Sequence, residues 1–186
     1  MKPILEIIKR LTKKSADKVL VEEIFDSYLK SQESLQQQLS KNRSSLDGSR
    51  VLLVEDCPDQ QRLTLGFLKE ETREIELECN GDAALLKVLD AKNQGKPFDF
   101  VIMDLYLIDS NGIEATIKIR EVDAMVSIVG ITAYGTPDVE KLWKAAGCDI
   151  YLAKPFTKDQ LIESLRFLKA KQFDSKASIA KELCKS

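Results

Sequence analysis

The sequence predicts an α/β domain, a five-stranded parallel, doubly wound sheet, with a helical extension in front of it. Three observations predict it. From Arg50 onward, short apolar runs alternate five times with helix-like segments, the pattern of a parallel sheet with crossover helices. Three of those runs, VLLV, FVIM and SIVGI, are nearly unbroken in Val, Ile, Leu, Phe and Met, as strands covered on both faces must be. Seven of the eight glycines lie beyond residue 65 and none lies in the first 46, so the front of the chain has a different texture.

That front reads as two helices. Ile4, Leu5, Ile8 and Leu11 mark a short amphipathic segment, and Val21, Phe25, Tyr28, Gln32, Leu35 and Leu39 recur in alternating steps of four and three, one face of a helix. The stripe over 1–46 suits packing within the chain, partner binding or a homodimer through a short coiled coil. The polar run 41–50 with Asp47-Gly48 reads as a linker. Strands are expected at 50–54, 74–79, 99–103, 126–131 and 149–153, and helices at 58–71, 82–92, 113–123, 137–146 and 158–171. In the second strand Ile75, Leu77 and Cys79 alternate with glutamates, which marks a half-exposed edge. The α/β domain is therefore drawn over 47–172, and 173–186 as a tail holding at most a short helix.

Composition narrows the chemistry. With 186 residues, 44% hydrophobic and 31% charged, the chain can build one ordinary core plus an appendage. No apolar run reaches the roughly 20 residues of a membrane span, and MKPILEIIKR is no signal peptide, so a cytoplasmic protein without membrane attachment is expected. Net charge is +3 over 1–50 and −6 over 51–172, which gives no electrostatic case for nucleic acid. Cys57, Cys79, Cys148 and Cys184 form no CxxC pair and read as reduced thiols. There is no histidine, which removes Ser-His and Cys-His nucleophiles, histidine metal clusters and any phosphohistidine of the chain's own.

Ligands of open parallel sheets bind beyond the carboxyl ends of the strands. There the sequence places Glu55-Asp56, Asp104, Thr132-Ala133 and Lys154-Pro155. Three acids on one rim repel unless a cation shares the site. Mg²⁺, a hard ion that takes oxygen ligands and leaves positions open for phosphate oxygens, suits them. Phosphoryl chemistry follows, with Asp104 as the carboxylate nucleophile, Lys154 neutralising charge and Thr132 bonding a phosphoryl oxygen.

Residues 50 to about 172 resemble the response-regulator receiver domain of two-component signalling. The resemblance rests on VLLVED (Glu55, Asp56), IMDL (Asp104), ITA (Thr132, Ala133) and YLAKPF (Tyr151, Lys154, Pro155), spaced by 48, 28 and 22 residues from Asp56 to Lys154. It implies a CheY-like sheet whose Asp104 takes a phosphoryl group from a histidine kinase or histidine phosphotransfer protein. It implies Mg²⁺ on Asp56, Asp104 and the Tyr106 backbone carbonyl, with Glu55 assisting through water. It further implies a switch through Thr132 and inward rotation of Tyr151, read by a protein target on the face of the fourth helix, fifth strand and fifth helix, and a cis Lys154–Pro155 bond. With no output domain expected after residue 172, and Met1 favouring a whole protein, the expected role is a response regulator without DNA-binding output, not an enzyme.

Some residues depart from that family. Ile108 stands where it commonly has proline, four positions after the phosphoacceptor, before Asp109, Ser110, Asn111 and Gly112; a more mobile turn is expected, with Asn111 able to cap the next helix. Tyr106 and Tyr134 flank the path of an attacking water and are expected to slow hydrolysis. Asp56 also reads as a helix N-cap before Pro58, Trp143 as lying on an exposed helix face, and Cys57 as an ordinary small residue. Two other classes stay open: a phosphatase with an aspartyl-phosphate intermediate, and a receiver-fold scaffold that binds partners without phosphorylation.

Overall fold

The structure is a computed structural model that describes residues 45–108, 110–133 and 135–183, with side chains to residue 174. The helices expected in the front segment, Asp109, Tyr134 and Cys184 lie outside the described residues.

Five strands, β1 (Arg50–Val54), β2 (Glu74–Glu78), β3 (Phe100–Asp104), β4 (Ser127–Thr132) and β5 (Ile150–Ala153), form one sheet in the order β2-β1-β3-β4-β5. Every pairing is parallel. Helices α1 (Pro58–Leu68), α2 (Gly81–Asn93), α3 (Gly112–Val122) and α4 (Pro137–Ala145) make the crossovers, and α5 (Lys158–Leu183) follows β5. This is the doubly wound architecture expected. β3 and β4 are buried throughout and β1 nearly so, whereas the glutamate-bearing β2 is the half-exposed edge.

The period of two along each strand decides which layer its side chains join. Leu52, Val54, Val101, Met103 and Ile128 meet Ala84, Val88, Ile119 and Trp143. On the other face Val51, Leu53, Phe100, Ile102 and Ile131 meet Leu68, Leu161, Leu165 and Leu168. Each such leucine, fully buried, contributes about 2 kcal/mol.

Caps fix where the helices begin. Asn80 Oδ1 accepts from the Ala83 amide at 2.8 Å, and Asn111 Oδ1 from Ile113 at 2.8 Å. Thr136 Oγ1 accepts from Val139, with Pro137 following it in the first turn. Each supplies an orphan helix donor with an acceptor.

Three expectations need correction. The run 41–50 is not wholly linker, because Leu46 is buried in the core and Ser49 N–H closes a turn on the Leu46 carbonyl at 2.9 Å; Gly48, at φ +81°, supplies the turn's left-handed residue. The last helix does not stop near residue 171 but runs to Leu183, since no glycine or proline interrupts it. Trp143 is not on an exposed face: it is 1% exposed, seated on Gly130, where an added Cβ would lie 2.7 Å from the indole. The spacing of Val139, Trp143 and Ala146, at i, i+4 and i+7, carries the signal for that burial.

Candidate functional site

The register brings the rim together. Val54 pairs with Met103, Asp104 with Ile131, and Thr132 with Ala153, so the residues that follow β1, β3 and β5 emerge side by side. Glu55, Asp56 and Asp104 each place one carboxylate oxygen within 4.8 Å of the others. Lys154 Nζ donates to Asp104 Oδ2 at 2.6 Å and to Glu55 Oε2 at 2.7 Å. Thr132 is fully buried at the end of β4, and its carbonyl accepts from the Lys154 amide at 2.7 Å. The Lys154–Pro155 peptide bond is cis.

Three of the four remaining carboxylate oxygens meet backbone amides. Glu55 Oε1 accepts from Cys57 at 3.1 Å and Asp104 Oδ1 from Tyr106 at 3.3 Å; both are local turns two residues long. Asp56 Oδ2 accepts from the Ile108 amide at 2.6 Å, across 52 residues of sequence. Asp56 is not the helix cap that the sequence suggested: Cys57 holds that position without a side-chain bond. The Asp56 side chain instead turns toward the loop after β3.

Charge in the site is unbalanced. One lysine faces three carboxylates, of which Glu55 and Asp104 are buried. Burial pushes the Glu55 carboxyl above its usual range; the Lys154 hydrogen bond opposes this and the nearby Asp104 charge adds to it. Burial also works against the Lys154 ammonium, but its bonds to Asp104 and Glu55 outweigh that, so its pKa stands above the ordinary lysine value. Three hard oxygen donors in one cluster suit a hard divalent ion such as Mg²⁺, with Asp56 the most accessible of them.

The other predicted residues fall around this centre. Tyr106 begins a two-residue ribbon, Tyr106–Leu107 against Ser110–Asn111, with its side chain 57% exposed. Tyr151 is half-buried on β5, packed beside the core, and its hydroxyl donates to Glu140 Oε2 on α4 at 3.1 Å. Sequence reasoning missed Glu140 because ten residues, the end of α4, a turn and the start of β5, separate it from Tyr151. It also missed the Ile108 amide, since a backbone donor leaves no trace in residue type unless proline removes it.

Comparisons with known proteins agree with this fold. The family model for the response regulator receiver domain matches residues 51–166. The transcriptional regulatory protein TcrA of Mycobacterium tuberculosis is 30% identical over 123 residues, 66% of this chain and 47% of that protein. The chemotaxis protein CheY of Halobacterium salinarum is 32% identical over 116 residues, 62% of this chain and 92% of that one. The chain thus spans about half the length of the first of these relatives and most of the second. A receiver domain of a sensor histidine kinase from Pseudomonas aeruginosa, solved with a magnesium ion coordinated in its active site cleft, superposes with a TM-score of 0.59 at 29% identity, over 66% of this chain and 98% of that one. Among the described residues, no helix is long and apolar enough to cross a membrane.

Proposed function

Because the chain belongs to the response regulator receiver domain family of two-component signalling, we propose that it is a phosphoryl-accepting switch modified on Asp104. The observation that carries this reading is the Lys154 ammonium shared by Asp104 and Glu55, beside a third carboxylate on Asp56. A charge arrangement of this kind is useful when a dianionic phosphoryl group must approach carboxylates.

The donor is a phosphohistidine on a histidine kinase or histidine phosphotransfer protein. An Asp104 carboxylate oxygen attacks phosphorus; the new O–P bond forms as the P–N bond to imidazole breaks, and the leaving imidazole takes up a proton. Lys154 holds Asp104 in place and offsets charge on the phosphoryl oxygens. The Thr132 hydroxyl hydrogen-bonds one of those oxygens once the acyl phosphate exists. Asp56, Asp104 and the Tyr106 carbonyl would hold Mg²⁺, with Glu55 assisting through water. When bound, the ion supplies positive charge to neutralise the transferring group.

Output is read by a protein target on the α4, β5 and α5 face, where Tyr151 and Thr132 couple the modified rim to the surface. The switch acts by protein binding in the cytoplasm, without turnover of a substrate.

Incubating the full chain with Mg²⁺ and acetyl phosphate, then weighing wild type and Asp104→Asn, tests this. A stable gain of one phosphoryl group, lost in Asp104→Asn, is expected. Rapid turnover without a lasting adduct would instead favour a phosphatase, and no change would favour a scaffold.

A further inference from the structure

The three clustered carboxylates do not share their compensation equally. Lys154 serves Glu55 and Asp104, and the amides on Glu55 Oε1 and Asp104 Oδ1 come from residues two positions along, where the backbone could hardly place them elsewhere. Asp56 has a donor from a separate loop, the Ile108 N–H at 2.6 Å. That loop is the one leaving Asp104. The Ile108 side chain contributes nothing to this grip, standing 82% exposed.

We infer that the Ile108 amide is a positioning group that competes with a divalent cation for Asp56 and thereby weakens cation binding at the site. This rests on the reading of Asp56 as a metal-binding carboxylate. The reasoning is electrostatic. An N–H donor and a dication both draw on the lone-pair charge of one carboxylate and repel each other, so by linkage each weakens the other's hold. The same bond ties the loop that begins at Asp104 to the acidic pair after β1. Release of Asp56 and loosening of the 105–108 segment are therefore one event, which couples cation loading to the surface beside the phosphoacceptor.

Proline at this position would have no N–H to give. Ile108→Pro therefore removes the competitor, while Ile108→Ala keeps the amide and removes only the exposed side chain. The experiment is an NMR titration of the full-length ¹⁵N-labelled chain with MgCl₂, for wild type and both variants, with melting temperature as the check on folding. Ile108→Pro is expected to bind Mg²⁺ about fivefold more tightly, the change equivalent to a net hydrogen bond of about 1 kcal/mol. Ile108→Ala is expected to match wild type. In wild type the Ile108 amide is expected to exchange slowly with solvent without Mg²⁺ and quickly at saturation; this reading stands by itself if the proline variant does not fold.

Equal affinities for wild type and a folded Ile108→Pro, or an Ile108 amide equally protected with and without Mg²⁺, overturn the competition while leaving the metal site intact. Tightening by Ile108→Ala as large as that by Ile108→Pro assigns the effect to the side chain and overturns it too. Absence of any Mg²⁺-dependent shift in all three proteins overturns the metal reading itself, and the competition with it.

Discussion

The Lys154 ammonium and the Asp104 carboxylate stand 2.6 Å apart, nitrogen to oxygen, across 50 residues of sequence. Both are largely withdrawn from solvent, at 18% and 8% side-chain exposure, and Glu55, at 4%, shares the same nitrogen. Removing the lysine therefore strands two buried carboxylates at once. Lys154→Met is expected to destabilise the domain by about 3 kcal/mol and to abolish stable phosphorylation by acetyl phosphate. Urea denaturation and mass measurement check the two effects; a stability equal to wild type would refute the account of the pair.

Gly130 and Trp143 make a second prediction. The indole lies where a Cβ at residue 130 would stand, 2.7 Å away, and both partners belong to packed elements, β4 and α4. Gly130→Ala is expected to cost about 1–3 kcal/mol by overpacking. It should also alter the emission of the chain's single tryptophan. An unchanged spectrum and melting temperature would show that α4 yields freely.

Cys148 sets a pH dependence. Burial pushes its thiol up to about 12, against the Gly130 amide that donates to the sulfur. A folded-state value above the unfolded one gives stability that is complete below the unfolded thiol value and is lost as pH climbs toward 12. The slope is at most about 1.4 kcal/mol per pH unit. Cys148→Ser, compared with wild type by urea melts at pH 8 and pH 10.5, is expected to lack this component. In native protein at neutral pH, Cys57 and Cys79, both exposed, should react with iodoacetamide while Cys148 stays unmodified.

Tyr151 and Glu140 give a spectroscopic test. The hydrogen bond to the Glu140 carboxylate raises the phenol's pKa, with burial and charge adding to it. Glu140→Gln is expected to return that pKa toward the ordinary tyrosine value, so the Tyr151 part of the phenolate absorbance, identified by difference from Tyr151→Phe, should appear at lower pH. No displacement on Glu140→Gln would mean that the hydroxyl does not lean on α4 in solution.

Tyr106 bears on the lifetime of the modified form. Its ring stands at the rim two residues after Asp104, with its amide on the Asp104 carboxylate. Tyr106→Asn is expected to hasten acyl-phosphate decay severalfold by opening the path to water, measured by the loss of the added mass with time. A decay no faster than wild type would remove the ring from the account.

Much of this was legible in the chain itself, for definable reasons. VLLV, FVIM and SIVGI announced strands buried on both faces, and the acids, threonine and lysine could be assigned to one rim because parallel strands all end on the same side. What escaped was tertiary in origin. Whether Asp56 caps α1 or reaches for the Ile108 amide depends on where a loop 52 residues away comes to rest. The side of α4 that takes Trp143 depends on Gly130 leaving room for an indole. Leu46 looked like part of a polar linker because one apolar residue before a turn carries no period to read.

The outer border of the sheet has a consequence for how copies of this chain meet. Glu74, Glu76 and Glu78 share one face of β2, anchored by Arg50 and Lys87. A foreign strand laid along that border would set its own side chains against a row of carboxylates already matched to partners at home. Growth by stacking ribbon upon ribbon is blocked there by charge, and the domain can leave this border open to water without inviting fibres.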